Sequence, residues 1–178
     1  YKAENDEELW SWWWYLNDNK EMEGHYVDGR KNGIWTWWFD SGIKQSEGHY
    51  LDDEQDGLWS YFSKDGSVAE EITFSSGKRD GRSTVWLTPE EKQEEKFYKN
   101  GKLDGPSTFW ENGYRSTMTT YKSDSPEGPW VIWFSNSDQI KEQGFHQKGI
   151  REGLTIYYYE DGTMQREGFC LLYTSDAA

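Results

Sequence analysis

Cysteine, aliphatic side chains and basic charge are all scarce in this chain. The single cysteine, Cys170, has no internal partner, which excludes a disulfide-stapled scaffold. No apolar run approaches the ~20 residues that a bilayer-spanning helix needs, and no charged-then-apolar leader opens the sequence. The chain therefore reads as a fragment of a soluble, cytoplasmic protein, unless a signal or lipid anchor precedes Tyr1. Lysine and arginine number 19 against 33 acids, a net charge of -14. Duplex DNA, RNA and anionic lipid headgroups are poor partners for such a surface, and a basic partner is attracted to it. With few aliphatics, packing falls to 12 Trp, 12 Tyr and 8 Phe. A length of 178 residues allows one ordinary domain or a short array of repeats.

What is present is a period. Glycines at 33, 57, 81, 105, 128 and 153 are separated by 24, 24, 24, 23 and 25 residues. They open similar blocks: GIWTWWFDSG, GLWSYFSKDG, GRSTVWLTPE, GPSTFWENG, GPWVIWFSNS and GLTIYYYEDG. A second landmark is an aromatic at Tyr26, Tyr50, Phe74, Tyr98, Tyr121, Phe145 and Phe169. Turn signals fall about a dozen residues apart. Asp65-Gly66, Asn112-Gly113 and Asp161-Gly162 close one set of hairpins; Asp28-Gly29, Ser76-Gly77 and Asn100-Gly101 close the next. The segments between them are short, rich in aromatic and β-branched residues, and without helical periodicity. Each unit is thus expected to be two antiparallel strands. The expected fold is all-β: an array of hairpins forming an elongated, twisted single-layer sheet over residues 9–169. Residues 1–8 form the end of an N-terminal fragment. Residues 170–178, CLLYTSDAA, break the rhythm and resemble a translated sequencing adapter, so a non-native or disordered tail is expected there.

Blocks of the form GxWxxWFxxG followed by EGxYxxGKxxG resemble the MORN-variant repeat of bacterial proteins, the family of YwqK-like antitoxins from toxin-antitoxin systems. The resemblance covers Leu9 to about Phe169 and implies a protein-binding antitoxin whose partner is a toxin. Two departures stand out. Ser83 replaces the tryptophan of Trp35 and Trp59, and Asp53 replaces the glycine of Gly29, Gly77 and Gly101.

Residues two apart share a face of a strand. Trp38, Phe62, Trp86, Trp110, Trp133 and Tyr158 occupy one position that is aromatic in every unit, so they are expected to form the structural ladder. On the other face Trp37, Tyr61, Val85, Phe109, Ile132 and Tyr157 change shape, and Trp35, Trp59, Ser83, Ser107, Trp130 and Thr155 swing between very large and very small. Fitting an irregular partner would produce such variation, and uncovered indoles would exceed the apolar area a monomer usually exposes. Trp35, Trp37, Trp59, Tyr61 and Trp130 are accordingly the expected partner-binding platform; the alternative is that sheet curvature or further units cover this face. Two acid rows recur, Glu23, Glu47, Glu71 and Glu95, and Asp56, Asp80, Asp104, Glu127 and Glu152. Glu47 and Glu71 join the expected partner-binding set as attractors of basic residues, while turn chemistry and solubility explain such rows equally well.

No catalytic or metal set emerges. LDDEQDG places Asp52, Glu54 and Asp56 like a calcium loop, but Ser63 stands where the bidentate glutamate belongs. His25 and His49 are equivalent repeat positions and His146 lies beside a landmark, which is no ligand spacing. The expected protein is non-enzymatic, without metal or cofactor. Two alternatives to the toxin partner remain. WWWYLNDNKEMEGHY, Trp12 to Tyr26, resembles choline- and glucan-binding repeats, whose aromatic pockets attract quaternary ammonium groups and sugars. An envelope or membrane-associated scaffold is the other, with direct lipid binding disfavoured by acidity.

Overall fold

A computed structural model describes residues 7–13 and 19–170, and the side chains of residues 19–169. The proposed tail, apart from the backbone of Cys170, and the opening residues 1–6 and 14–18 lie outside the described residues. The chain divides into two compact units, Tyr1–Glu90 with Tyr98–Gly101, and Glu91–Phe97 with Lys102–Ala178. Every described element is a strand or a connection between strands.

The first unit contains β1 (Glu7–Trp13), β2 (Lys20–Val27), β3 (Arg30–Trp38), β4 (Lys44–Leu51), β5 (Glu54–Phe62), β6 (Val68–Ser75) and β7 (Lys78–Trp86). Each pairs antiparallel with its sequence neighbour. The strand β8 (Lys92–Lys99) gives Lys92–Phe97 to the second unit and Tyr98–Lys99 to the first. The second unit continues with β9 (Lys102–Glu111), β10 (Tyr114–Lys122), β11 (Ser125–Trp133), β12 (Ile140–Gln147), β13 (Ile150–Tyr158) and β14 (Met164–Cys170). These also pair antiparallel in sequence order. The order is that of hairpins laid side by side, an open all-β repeat sheet within each unit. Connections of two to six residues between short strands leave no length for a crossover, so each strand can reach only its neighbour.

The tight turns take the conformation that right-twisted strands favour. Asp28-Gly29, Ser76-Gly77, Asn100-Gly101 and Lys148-Gly149 hold both residues at positive φ. Asp52-Asp53 and Ser123-Asp124 do the same without glycine, with Asp53 at φ 71 and Asp124 at φ 70. Each aspartate offsets that strain with a two-way clasp on the preceding hairpin. The Asp53 N–H donates to the Lys31 carbonyl at 3.0 Å and its Oδ1 accepts from the Lys31 N–H at 2.8 Å. Asp124 does likewise with Leu103, at 2.9 and 2.8 Å. The departure at Asp53 therefore leaves the hairpin geometry intact.

The register corrects one landmark. Gly33 pairs with Tyr50, Gly57 with Phe74, Gly105 with Tyr121, Gly128 with His146 and Gly153 with Cys170. His146 and Cys170, rather than Phe145 and Phe169, hold the landmark position. The two phenylalanines fall one residue earlier and therefore face the other way, where they are 61% and 71% exposed.

Candidate functional site

In the first unit one face of the sheet is an unbroken chain of rings. Tyr26 meets Trp35 edge-on at 5.0 Å, Trp35 stacks on Trp37 at 5.7 Å, Trp37 lies 5.7 Å from Trp59, and Trp59 reaches Tyr61 and Phe74 at 6.2 and 6.5 Å. Glycine makes this packing possible. A Cβ added at Gly24 would lie 2.2 Å from Trp35 Cδ2, and one at Gly48 would lie 2.2 Å from Trp59 Cδ2, so each indole rests flat on bare backbone of the preceding strand. Its N–H is satisfied there as well: Trp35 Nε1 donates to the His25 carbonyl at 3.1 Å and Trp59 Nε1 to the His49 carbonyl at 3.0 Å. Tyr50 fills the space between the indoles, 6.1 Å from Trp35 and 5.0 Å from Trp59. Burial, then the nearby Tyr61 and Asp53, push its hydroxyl above the ordinary tyrosine pKa. The Lys31 ammonium sits over three of these rings, 4.6 Å from Trp35, 5.3 Å from Trp37 and 5.0 Å from Tyr50.

The second unit uses the same position differently. Trp130 has Thr119 opposite it on β10 and Gly144 opposite it on β12. Its ring lies over Gly144, whose added Cβ would meet it at 2.9 Å. Arg151 covers the other side, with its guanidinium carbon 3.9 Å from the ring centroid, and His146 stands 6.1 Å away. Trp130 Nε1 and His146 Nδ1 are buried without a hydrogen-bond partner among the described residues. Burial first, then Arg151, holds the imidazole pKa below the usual histidine value.

The expectation that Trp35, Trp59 and Trp130 stand uncovered is overturned, because they are 0%, 2% and 1% exposed and are the most buried large side chains described. Glycine backbone covers one side of each ring and neighbouring side chains, Tyr50, Lys31 and Arg151 among them, cover the other. The swing between large and small residues is internal compensation. Ser83 pairs with Ile72, and both are buried, so the bulk missing from one strand is supplied by its neighbour. Trp37 and Tyr61 are half-buried at the edge of the ring chain. The ladder is less deep than its invariance implied: Trp133 is buried, whereas Trp38, Phe62, Trp86, Trp110 and Tyr158 are half-buried at strand ends.

Most of the two acid rows are held by the repeat itself. Glu47 accepts from Lys44 Nζ at 2.7 Å and from Thr36 Oγ1 at 3.0 Å. The lysine, with the threonine assisting against burial, lowers its pKa. Lys20–Glu23 and Lys92–Glu95 repeat the ion pair at 2.7 Å. The lysines of all three pairs also lie over a ladder ring, 5.6 Å from Trp38, 5.7 Å from Phe62 and 5.5 Å from Trp110. In the unit of Glu71 the lysine is replaced by Val68, and the carboxylate lines a shallow pocket with Val68, Trp86 and Pro89. In the second row Asp80, Asp104 and Glu127 accept from the turn amides of Asn100, Ser123 and Lys148 at 2.9, 3.3 and 2.7 Å. Within the calcium-like stretch, Asp53 is committed to Lys31 as above, and Asp52 Oδ1 accepts from Asn32 Nδ2 at 3.4 Å.

The family model described as a MORN repeat variant matches residues 31–52, 55–76 and 151–169. These are the hairpins β3–β4, β5–β6 and β13–β14, so one family repeat corresponds to one hairpin of the sheet. No curated protein matches the chain.

Proposed function

We propose that this chain is a non-enzymatic, repeat-type protein-binding module, and that it serves as the antitoxin of a bacterial toxin-antitoxin pair by covering a basic toxin. The observation that carries the reading is how the repeat uses its chemistry. Indoles lie on glycines, lysines pair with glutamates, and aspartates clasp turns. The perturbed carboxylates follow the same logic, since Ser67 and Thr163 lower Asp65 and Asp161 through turn hydrogen bonds. What is left over is an acidic surface of net charge -14 bearing exposed Phe145 and Phe169. Aromatic or aliphatic anchors within a steering charge are the composition of a recognition surface. The MORN-variant hairpins support the same reading.

The test is co-expression with the reading frames that flank this gene. One of them should arrest growth alone, lose that effect when this chain is present, and co-purify with it in a salt-sensitive complex. Flanking frames that are harmless, or toxic without rescue, would sink the antitoxin role.

A choline-binding reading draws on the box of Trp35, Trp37 and Tyr50 around an ammonium group. That box already holds the chain's own Lys31, so a choline headgroup would compete with it. Retention of the unaltered protein on choline resin, abolished by Trp37→Ala, would favour this reading over the toxin partner.

A further inference from the structure

The register that carries Phe145 and Phe169 away from the landmark also assembles them with other apolar residues. On one face of the second unit Pro106 pairs with Thr120, Pro129 with Phe145, and Leu154 with Phe169. β10 sets Thr120 between Pro106 and Pro129, and Phe145 pairs across β12–β13 with Glu152, two residues before Leu154, so the unbroken apolar run is Pro129, Phe145, Leu154 and Phe169 across β11 to β14. At a strand spacing of ~4.8 Å this run is roughly 14 Å long. The two prolines and two phenylalanines are exposed and Leu154 is half-buried. The two phenylalanines alone leave on the order of 250 Å² of ring surface in solvent, a large share of the patch a monomer ordinarily tolerates. The first unit breaks the same row with polar groups, as His49 faces Ile34 and Thr73 faces Leu58.

The row carries acids beside its apolar residues. Glu127 and Glu152 precede Pro129 and Leu154 by two residues, and both carboxylates line one shallow depression with Phe145 and Leu154. Glu127 Oε2 accepts from the Lys148 amide, which orients the group without neutralising it. We infer that this face of the second unit is a docking surface for a polypeptide segment that alternates bulky apolar side chains with lysine or arginine. The apolar side chains seat between Phe145, Leu154 and Phe169, and the cations meet Glu127 and Glu152. Charge decides against the other occupants of an apolar row. A second copy of this chain brings another -14, and an anionic lipid surface repels the same acids. The inference deepens the protein-binding reading above and rests on it.

The experiment is a fluorescence-anisotropy titration of the whole chain with three labelled synthetic peptides of equal length: alternating lysine and leucine, lysine and serine, and glutamate and leucine. The lysine–leucine peptide should bind at least tenfold more tightly than either control. Phe145→Ser with Phe169→Ser should lower that affinity at least tenfold, and Glu152→Gln should lower both the affinity and its salt dependence. Ile34→Ser with Leu58→Ser, exposed apolar residues of the first unit, should leave it unchanged. Both phenylalanines are solvent-facing, so the variants keep the fold, which near-ultraviolet circular dichroism checks. Equal binding of the lysine–serine peptide, or equal loss in the Ile34 and Leu58 variant, would overturn the site. So would concentration-dependent self-association, or binding to phosphatidylglycerol vesicles, that the phenylalanine variant abolishes. No toxin enters this titration, so growth rescue that survives the phenylalanine variant sinks the site and leaves the antitoxin reading standing. Peptide binding without any rescue does the reverse.

Discussion

Trp59 in the first unit and Trp130 in the second occupy the same repeat position and are equally buried, but each lies over a different neighbour of its own strand. Trp59 has Gly48 on the preceding strand and Ile72 on the following one, and its ring lies back over the glycine. Trp130 has Thr119 before it and Gly144 after it, and its ring lies forward. Trp35 separates the two causes, because glycine stands on both sides of it, at Gly24 and Gly48. It lies back, where its N–H finds the His25 carbonyl. The backward pose is therefore the better one, and the forward pose is adopted where a side chain blocks the way. Its cost is visible in the buried, unpartnered Trp130 Nε1, offset by the Arg151 guanidinium stacked on the ring.

The two seats differ most at their glycines. Alanine at Gly48 would place a methyl 2.2 Å from the Trp59 ring, which must leave its seat, whereas alanine at Gly144 would meet Trp130 at 2.9 Å, within reach of a small shift. Neither glycine has a positive φ, so the cost is overpacking rather than backbone strain. Gly48→Ala is expected to destabilise by about 3 kcal/mol and Gly144→Ala by about 1 kcal/mol, read from urea denaturation midpoints. Equal losses would mean that the indoles are not seated on glycine in the way described.

These glycines are in plain view in the sequence, but what they cover is not. Period, hairpins and turns were legible because they are local: Asp-Gly and Asn-Gly pairs impose their backbone angles whatever surrounds them. Which ring is covered is a question about the neighbouring strand. Ranking positions by constancy favoured Trp38 and its equivalents, whereas burial follows complementary pairs such as Gly24 with Trp35 and Ile72 with Ser83. A signal for the landmark also existed. Tyr50, Phe74, Tyr98, Tyr121 and His146 each stand seven residues before the next repeat glycine, and Phe145 stands eight before it. The phenylalanines at 145 and 169 mask that spacing by their aromatic identity. The charged rows were ambiguous for a different reason: only three-dimensional proximity shows that Lys44 reaches Glu47 while Val68 replaces the lysine for Glu71.

Replacing each indole by phenylalanine isolates the hydrogen bond, since the loss of ring volume is similar at both sites and only one site loses such a bond. Trp59→Phe removes the bond to the His49 carbonyl, while Trp130→Phe removes a donor that had no acceptor among the described residues. The first should cost about 1 kcal/mol more than the second in the same denaturation assay. A reversed order would imply that the Arg151 stack depends on the indole more than the backward pose depends on its N–H.

A subtler difference rests with His146, which stands beside Trp130 where Tyr50 stands beside Trp35. Glu142 and Thr155 also belong to its face of β12 and β13, but the charge that acts on the imidazole is the Arg151 guanidinium, which opposes protonation together with burial. The folded state thus holds the proton more weakly than the unfolded chain, whose histidine titrates near 6.5. Between the two values the unfolded state binds more protons, so stability falls as pH drops below about 6.5 and is fully present above it. Glu47, with its lowered carboxylate pKa, adds a separate loss only as pH falls below its ordinary value of 4.5. Hydrogen exchange of β11–β13 amides between pH 7 and 5.5, corrected for intrinsic rates, should show loosening in this window that the β3–β5 amides lack. In His146→Tyr, which restores the ring of the first unit at this position, the difference should vanish. Loosening that persists in that variant would place the titrating group elsewhere in the second unit.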